Sequence, residues 1–311
     1  VAYGQALAAY GATNKRIVVL DADVSASSQT HYFATACPDR FFNVGVAEAG
    51  MVDVAVGFAL RGLIPFANTF AFLLTLRAAE QIRTAVAYAR TNVKLIGSYG
   101  GLSDSFDGPT HQSVCDIAVM RSMPHITVIV AADAVEAARL VPVIADYDGP
   151  VYLRLSRAEV PVVFGDDHTV EIGKGQMLRD GADVTLVATG VMVYRTLQAA
   201  DELAKHGIQA RVLALHTIKP LDTDLVLAAA AETGALVTAE EHSIIGGLGG
   251  AVAELISSEW PVPIVRVGIH DTFCETGPYE ALLDRYGMAV SDIVSAARAA
   301  IGKKAQARAV A

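Results

Sequence analysis

Short apolar runs rich in valine and isoleucine alternate along the chain with longer stretches whose apolar residues recur at helical spacing. This alternation is typical of βαβ units, which build a parallel sheet covered by helices. In the first half of the chain it predicts strands at Ile17–Leu20, Phe42–Val44, Val93–Gly97, Thr127–Val130 and Val151–Leu155. The helices predicted there are Tyr3–Tyr10, Glu48–Leu60, Leu73–Tyr88 and Ala134–Ala145.

The periodicity fades between Pro161 and Gly175, a stretch rich in turn formers, and then restarts. In the second half it predicts strands at Val184–Ala188, Ala210–Leu215, Leu236–Ala239 and Ile264–Val267. The corresponding helices are Val193–His206, Asp222–Thr233, Gly250–Ser258 and Tyr279–Tyr286. We therefore predict an α/β protein with two open, doubly wound sheets: a first domain at 1–160, a connector at 161–183 and a second domain at 184–311.

The composition is that of a folded chain, since 53% of the 311 residues are apolar and 18% are charged. At roughly 150 residues per domain, this length suggests about two domains. The net charge of −9 argues against a nucleic acid or an anionic membrane as partner. The sequence shows neither an uninterrupted apolar run of roughly 18 residues nor a secretory signal, so we expect a cytoplasmic protein.

Common catalytic and metal-binding motifs do not occur in the sequence. Cys37, Cys115 and Cys274 are widely separated without CxxC spacing, which favours reduced thiols and no zinc module. The chain contains no GxxxxGK[ST] phosphate loop, GxSxG elbow or HExxH helix. The GGLGG stretch at 246–250 lacks the full GxGxxG pattern, so it predicts a tight turn into a helix rather than a dinucleotide loop.

Glu48 is the first candidate for chemistry, because it follows a predicted strand and begins a strongly apolar helix. An acidic residue at this point also suits the helix dipole, so a purely structural role remains open. The apolar neighbours Val44, Val46 and Met51 favour burial, and burial generally raises the pKa of a carboxyl group. Such a group is suited to sharing a proton with a heterocyclic nitrogen.

Two further segments could bind a ligand. Phe70, Leu73 and Leu76 recur at helical spacing and can form one apolar wall, either of the core, as is usual, or of a cofactor pocket. In YGGLSDSFDGPTHQ, a Gly-Pro turn presents Asp107 and His111 four residues apart. These side chains could cap a helix and lie at the surface, or orient and protonate a polyol substrate. The spacing alone does not decide between the two.

Together these segments resemble the C-terminal half of a transketolase. The stretches VGVAEAGMVDVAVGFAL, DGPTHQ, DIAVMRSMPHITVIVAADAVEA, LRLSR, HTIKPLD and AEEHSIIGGLGGAVAE occur in family order over nearly the whole chain. The resemblance implies a pyrimidine-binding domain followed by the family's C-terminal domain, with thiamin diphosphate as cofactor. The family binds the diphosphate and its divalent metal through a GDG motif on a separate N-terminal domain, and this chain contains no GDG.

The missing motif implies one subunit of a split transketolase. A second polypeptide would hold the diphosphate with Mg²⁺ or Ca²⁺, and this chain would contribute no metal ligand. The two would form an A2B2 heterotetramer in which neither chain is active alone. The implied reaction, in carbohydrate metabolism, transfers a two-carbon ketol unit from a ketose or its phosphate to an aldose or its phosphate. A 1-deoxyxylulose-5-phosphate synthase-like chain, a 2-oxoacid dehydrogenase β-like subunit and a catalytically silent regulatory partner remain alternatives.

The resemblance also implies which residues contact the cofactor. Glu48 would hydrogen-bond N1′ of the aminopyrimidine and so promote the tautomer that removes the C2 proton of the thiazolium ring. Phe70, Leu73 and Leu76 would surround the pyrimidine ring. The family usually has aromatic residues at the last two positions, and leucine can enclose a ring but cannot stack on it.

The substrate contacts follow from the same resemblance. Asp107 and His111 match residues that contact substrate hydroxyl groups, and His111 would assist proton transfer near the reacting carbon. Ser27 and Arg157 match positions that hold the phosphate of the sugar, a role suited to the planar fork of arginine. Tyr99 stands where the family commonly has a phosphate-contacting His, and the residue before Asp107 is Phe instead of the usual Glu. The substrate is therefore expected to be an unusual sugar phosphate or to carry a different terminal group.

Overall fold

The computed structural model describes the backbone of residues 1–310 and the side chains of residues 1–306. Ala311, the last residue of the predicted second domain, lies outside the described residues. Within them the chain forms two mixed α/β sheets, of seven and five strands. The first sheet contains β1 (Ile17–Asp21), β2 (Phe41–Asn43), β3 (Ile64–Phe70), β4 (Lys94–Ser98), β5 (Thr127–Val130) and β6 (Val151–Arg154). These six strands are parallel, in the order β5-β6-β4-β3-β1-β2.

Helices connect these strands and cover the sheet. The apolar faces of the helices and of the sheet pack together into cores whose side chains are almost fully excluded from water. The α-helices of this half are α1 (Ala2–Thr13), α2 (Ser25–Ser28), α3 (His31–Ala36), α4 (Glu48–Leu60), α5 (Ala79–Gln81), α6 (Asp116–Ser122) and α7 (Ala134–Asp146).

The strands of the second sheet are β7 (Gln176–Arg179), β8 (Val184–Ala188), β9 (Ala210–Ala214), β11 (Leu236–Ser243) and β12 (Ile264–Ile269). Their order in the sheet is β12-β11-β8-β9-β7, with β7 as the antiparallel edge. The helices of this half are α8 (Met192–Ala204), α9 (Thr223–Thr233), α10 (Leu248–Glu259), α11 (Tyr279–Arg285) and α12 (Val290–Val310). None of the described helices has the length and apolar character needed to cross a bilayer.

One strand of the second half belongs to the first sheet. β10 (Thr217–Lys219) pairs antiparallel with β5, opposite Ile129 and Val128. The Lys219 ammonium group also donates to the carbonyl oxygens of Arg121 and Met123. The two halves are therefore joined by a continuous sheet as well as by apolar contacts. The proposed division at 160 and 183 stays a prediction, and β7 lies inside the segment assigned to the connector.

The prediction of a regular α-helix over Leu73–Tyr88 is wrong. Two π-helical segments, Leu73–Arg77 and Ile82–Tyr88, flank the short α5 instead. The preceding strand β3 was missed, because Pro65, Asn68 and Thr69 interrupt its apolar run and the polar residues do not alternate regularly. The turn predicted at GGLGG is confirmed, since α10 begins at Leu248.

Candidate active site

The candidate site residues from the first half follow the carboxyl ends of parallel strands. β2, β1, β3 and β4 are neighbours in the sheet and run in the same direction. Their carboxyl ends therefore lie along one edge, which is where open α/β sheets usually bind ligands. Glu48 comes shortly after β2, Phe70 ends β3, and Tyr99 follows β4. The sheet thus brings to one edge residues that are up to 51 positions apart, from Glu48 to Tyr99.

Glu48 begins α4 and is only 3% exposed. Its two carboxylate oxygens each lie 3.5 Å from Nη1 of Arg77, whose side chain is 58% exposed. No other hydrogen bond to this carboxylate occurs in the described part of the chain. A buried carboxylate whose contact is a long one to a solvated cation keeps hydrogen-bonding capacity for a ligand at this edge.

An aromatic stack lies at the ends of β3 and β4. The rings of Phe70 and Tyr99 are nearly parallel, at 13°, with their centroids 4.6 Å apart. The guanidinium group of Arg157 lies 4.9 Å from the centre of the Tyr99 ring. Tyr99 has a φ of 61°, a left-handed conformation that side-chain-bearing residues rarely adopt. The three side chains thus form one assembly that sequence spacing did not predict.

The prediction that Phe70, Leu73 and Leu76 line one helical wall is wrong. Phe70 belongs to a strand, whereas the other two lie on a π-helix, which has a different periodicity. Leu73 is 8% exposed and Leu76 is 52% exposed, so the two leucines point into different surroundings. The role of these residues toward a cofactor stays a prediction.

A carboxyl pair lies in the loop between β4 and α6. Asp104 is fully buried and accepts a 2.8 Å hydrogen bond from Nη1 of Arg157 through Oδ1. Burial and the neighbouring Asp107 raise the pKa of Asp104, while Arg157 acts in the opposite direction. Asp107 is exposed on the same loop. Asp107 was predicted as a site residue and Asp104 was not, although both acids occur in the same short segment.

His111 lies partly buried at the other end of this loop. Its ring makes an edge-to-face contact with Phe72, with the centroids 5.2 Å apart. One ring nitrogen, Nδ1, is 3.0 Å from the Thr110 hydroxyl group. The histidine is thereby placed beside the segment that follows β3.

Ser27 lies in α2, where the buried carboxylate of Asp21 organises the chain. Asp21 accepts hydrogen bonds from the Ser28 hydroxyl at 2.8 Å, the Thr30 hydroxyl at 2.7 Å and the Val24 backbone N–H at 2.6 Å. Burial raises the pKa of Asp21. Across the described residues no hydrogen bond joins Ser27 to the loop that carries Asp107.

Metal-binding side chains do not gather at this edge. Across the described residues, no group of three or more His, Cys, Asp or Glu side chains is placed to hold a metal ion.

Two family models match consecutive parts of the chain. The transketolase pyrimidine-binding domain matches residues 1–163 and the transketolase C-terminal domain matches residues 173–293. The chain belongs to the transketolase family. Enzymes of this family depend on thiamin diphosphate, and the fold prediction of a pyrimidine-binding domain followed by a C-terminal domain is confirmed.

Several relatives are themselves subunits. The chain is 43% identical over 302 residues to the 6-deoxy-6-sulfo-D-fructose transketolase subunit SqwH of Clostridium sp. (strain MSTE9), covering 97% of this chain and 94% of that one. It is 39% identical to one of the subunits of the apulose-4-phosphate transketolase of Phocaeicola vulgatus, covering 88% of each. Transketolase-like protein 2 of Mus musculus is 37% identical, but only 48% of its length is matched.

Solved structures give the same result. A protein described as a split gene transketolase, inactive beta4 tetramer, superimposes with a TM-score of 0.92 at 47% identity, covering 97% of this chain and 98% of that one. A transketolase from Leishmania mexicana has the same fold, with a TM-score of 0.78 at 21% identity over 97% of this chain and 45% of the other. The resemblance to split transketolase subunits is therefore confirmed.

Proposed function

We propose that the chain is one subunit of a heteromeric transketolase, which transfers a two-carbon ketol unit from a ketose or its phosphate to an aldose or its phosphate. It would be active only with an N-terminal subunit that binds the diphosphate and Mg²⁺ or Ca²⁺, in an A2B2 assembly. The observation that carries the proposal is the buried Glu48, which has a long contact to Arg77 at the carboxyl edge of the sheet.

The division of labour between two chains is supported by the relatives. The chain matches nearly the full length of subunits from two bacterial transketolases, but only about half of a longer animal relative. It also lacks the GDG motif of the diphosphate-binding domain. The match to nearly whole subunits supports a separate chain as the source of that half.

The residues at the sheet edge fit the pyrimidine part of thiamin diphosphate. Glu48 offers a carboxyl group to a ring nitrogen, and the face of Phe70 together with Leu73 offers apolar contact to the ring. When bound, the cofactor supplies a carbon nucleophile and an electron sink, while the protein supplies orientation and electrostatics. The role of Glu48 is to hold and exchange a proton at that nitrogen, away from bulk water.

The loop residues fit a polyhydroxylated substrate. Asp107 is exposed and can accept hydrogen bonds from sugar hydroxyl groups, and His111 can move a proton near the reacting carbon. The Arg157 side chain is 45% exposed, although one of its guanidinium nitrogens is held by Asp104. Together with Ser27, this fork can bind a terminal phosphate or a similar oxyanion.

A partner would cover apolar surface close to Glu48. Val46 precedes Glu48 by two residues, Leu76 adjoins Arg77, and Val54 and Leu60 lie on α4; all four side chains are exposed. Exposed apolar side chains on both sides of Glu48 in the chain and beside Arg77 are suited to contact with a partner. A partner docked there would also close the edge of the sheet over the cofactor.

Reconstitution tests the proposal. The purified chain is mixed with the GDG-containing candidate chain, thiamin diphosphate and Mg²⁺, and ketol transfer is followed by NMR of ¹³C-labelled donor. We expect transfer from the mixture and none from either chain alone. In the mixture, Glu48→Gln should lower the rate by roughly 10²–10⁴-fold, the contribution typical of acid–base catalysis. The control Glu80→Gln changes an exposed acid that bonds only Thr84 and should retain activity. Full activity of this chain alone, or an active Glu48→Gln enzyme, would contradict the proposal.

A further inference from the structure

Strand β11 carries three consecutive buried polar residues, Glu240, Glu241 and His242, that the proposed reaction does not use. The carboxylate of Glu240 accepts hydrogen bonds from the backbone N–H groups of Leu248 and Gly249, both at 2.7 Å. It therefore satisfies the first free N–H groups of α10, a structural role. Glu241 points to a different part of the molecule.

The carboxyl group of Glu241 reaches the loop that carries the candidate substrate residues. Its Oε1 accepts a 2.7 Å hydrogen bond from the backbone N–H of Leu102. A Cβ atom at Gly101 would lie 2.3 Å from the carboxyl carbon, and Gly101 has a φ of 65°, so only glycine allows this approach. The second domain thus holds the beginning of the loop by a side chain.

The same loop rests on the second domain at later positions. The Gly277 N–H donates to the carbonyl oxygen of Ser105 at 3.1 Å, and the Gln112 side-chain amide donates to the carbonyl oxygen of Glu275 at 3.0 Å. The Leu102 side chain is fully buried in the core cluster formed mainly by the second domain. Asp107 and His111 lie between these attachment points, so their position depends on the second domain.

Charged and titratable groups surround Glu241 on several elements. Arg154, from β6, donates to its backbone carbonyl oxygen at 2.9 Å, and Asp116, at the start of α6, and Tyr279, in α11, also face it. Burial, with a smaller contribution from the nearby Glu241, raises the pKa of the Cys274 thiol. Among the described residues, neither Oε2 of Glu241 nor the Tyr279 hydroxyl oxygen has a hydrogen-bond partner, although both atoms are buried. The group is therefore held in a charged pocket rather than solvated.

We propose that Glu241 is a positioning residue, which holds the backbone of Gly101 and Leu102 and thereby sets the place of Asp107 and His111 in the active site. Through this side chain, the second domain contributes to the geometry of the active site. The inference rests on the proposed function for its catalytic consequence, but not for the anchoring itself.

Hydrogen exchange on the full chain tests the anchoring without any activity. Glu241→Leu removes the acceptor, Glu241→Gln keeps an amide oxygen in its place, and Glu240→Leu is the matched control on the same strand. Loss of a hydrogen bond to a charged group raises the equilibrium constant for local opening by roughly ten- to hundredfold. We expect exchange in peptides covering 100–112 to accelerate by at least about tenfold in Glu241→Leu and to change little in Glu241→Gln. Glu241→Ala serves if the leucine variant does not fold.

The exchange results have two outcomes that overturn the proposal. Unchanged exchange of the loop in Glu241→Leu would mean that the carboxyl group does not anchor it. Equal acceleration of the loop in Glu240→Leu would mean that any loss on β11 loosens it. Acceleration confined to the region of α10 is expected for the control.

Kinetics of the reconstituted enzyme test the catalytic consequence. Glu241→Leu should lower kcat/KM by at least about tenfold, and Glu241→Gln should restore most of the loss, because it keeps the acceptor. Wild-type kcat/KM in a Glu241→Leu enzyme with a loosened loop would overturn the positioning role. A wild-type mixture without activity would instead refute the proposed function, and the exchange experiment would still decide the anchoring.

Discussion

Arg154 gives the sharpest prediction of stability, because its guanidinium group is buried between the two domains. Its Nε donates to Oδ2 of Asp116 at 2.8 Å, and its Nη2 donates to the carbonyl oxygens of Ser113 at 3.1 Å and of Glu241 at 2.9 Å. The two side chains of the pair are 5% and 0% exposed. Arg154→Met keeps most of the stem and removes the charge and all three hydrogen bonds.

The loss of stability in Arg154→Met follows from the carboxylate that stays buried after the substitution. Without Arg154, the Asp116 carboxylate stays buried with the Tyr152 hydroxyl as its remaining side-chain donor, at 2.7 Å. Removing one partner of a buried ion pair typically destabilises a protein by about 3–5 kcal/mol. We expect a loss in this range for Arg154→Met. The control Arg179→Met breaks a pair with Asp201 in which both side chains are well exposed, so it should cost about 0–1 kcal/mol.

Equilibrium urea unfolding, followed by circular dichroism and by the fluorescence of the single tryptophan, Trp260, measures both variants. A loss below about 1 kcal/mol for Arg154→Met, or one equal to that of the control, would refute the reasoning. The double variant Arg154→Met/Asp116→Leu should recover much of the loss, because it removes the Asp116 carboxylate that the single variant leaves without its cation.

Three further predictions concern titration, thiols and substrate. Burial raises the pKa of Glu241 to about 7, so the native state binds this proton more tightly than the unfolded chain does. The free energy of unfolding should therefore fall by up to about 3 kcal/mol as pH rises from about 4.5 to about 7. Urea unfolding at several pH values should show that Glu241→Gln removes this fall. Iodoacetamide should label the exposed Cys115 before the buried Cys37 and Cys274, as peptide mass spectrometry would show. Arg157→Lys should raise KM for a phosphorylated acceptor by roughly tenfold with little change in kcat, because lysine lacks the planar fork; equal KM values in steady-state assays would contradict this.

Much of the fold could be predicted from the chain, because parallel strands buried on both faces leave continuous apolar runs between amphipathic helices. The position of Glu48 at a strand-to-helix junction was also readable from the pattern around it. β3 was not, since Pro65, Asn68 and Thr69 interrupt its apolar residues. β10 is only three residues long and pairs across the domain junction, so local sequence carries no signal for it.

The tertiary contacts of the site were beyond sequence reasoning for a physical reason. Asp104 bonds Arg157 across 53 residues, and Glu241 bonds Leu102 across 139 residues. Spacing along one chain carries no information about such pairs. Glu241 did lie in a segment that resembled the family, but the resemblance assigned it no role. The structure shows that it faces the first domain.

The central claim is that Glu48 meets the cofactor in a site completed by another chain. A crystal structure of this chain with its GDG-containing partner, thiamin diphosphate and Mg²⁺ tests it most directly. We predict a Glu48 carboxylate oxygen within hydrogen-bond distance, about 2.6–3.2 Å, of the aminopyrimidine N1′, at an interface between the two polypeptides. A cofactor bound elsewhere, with Glu48 still facing Arg77 and remote from the partner, would contradict the account.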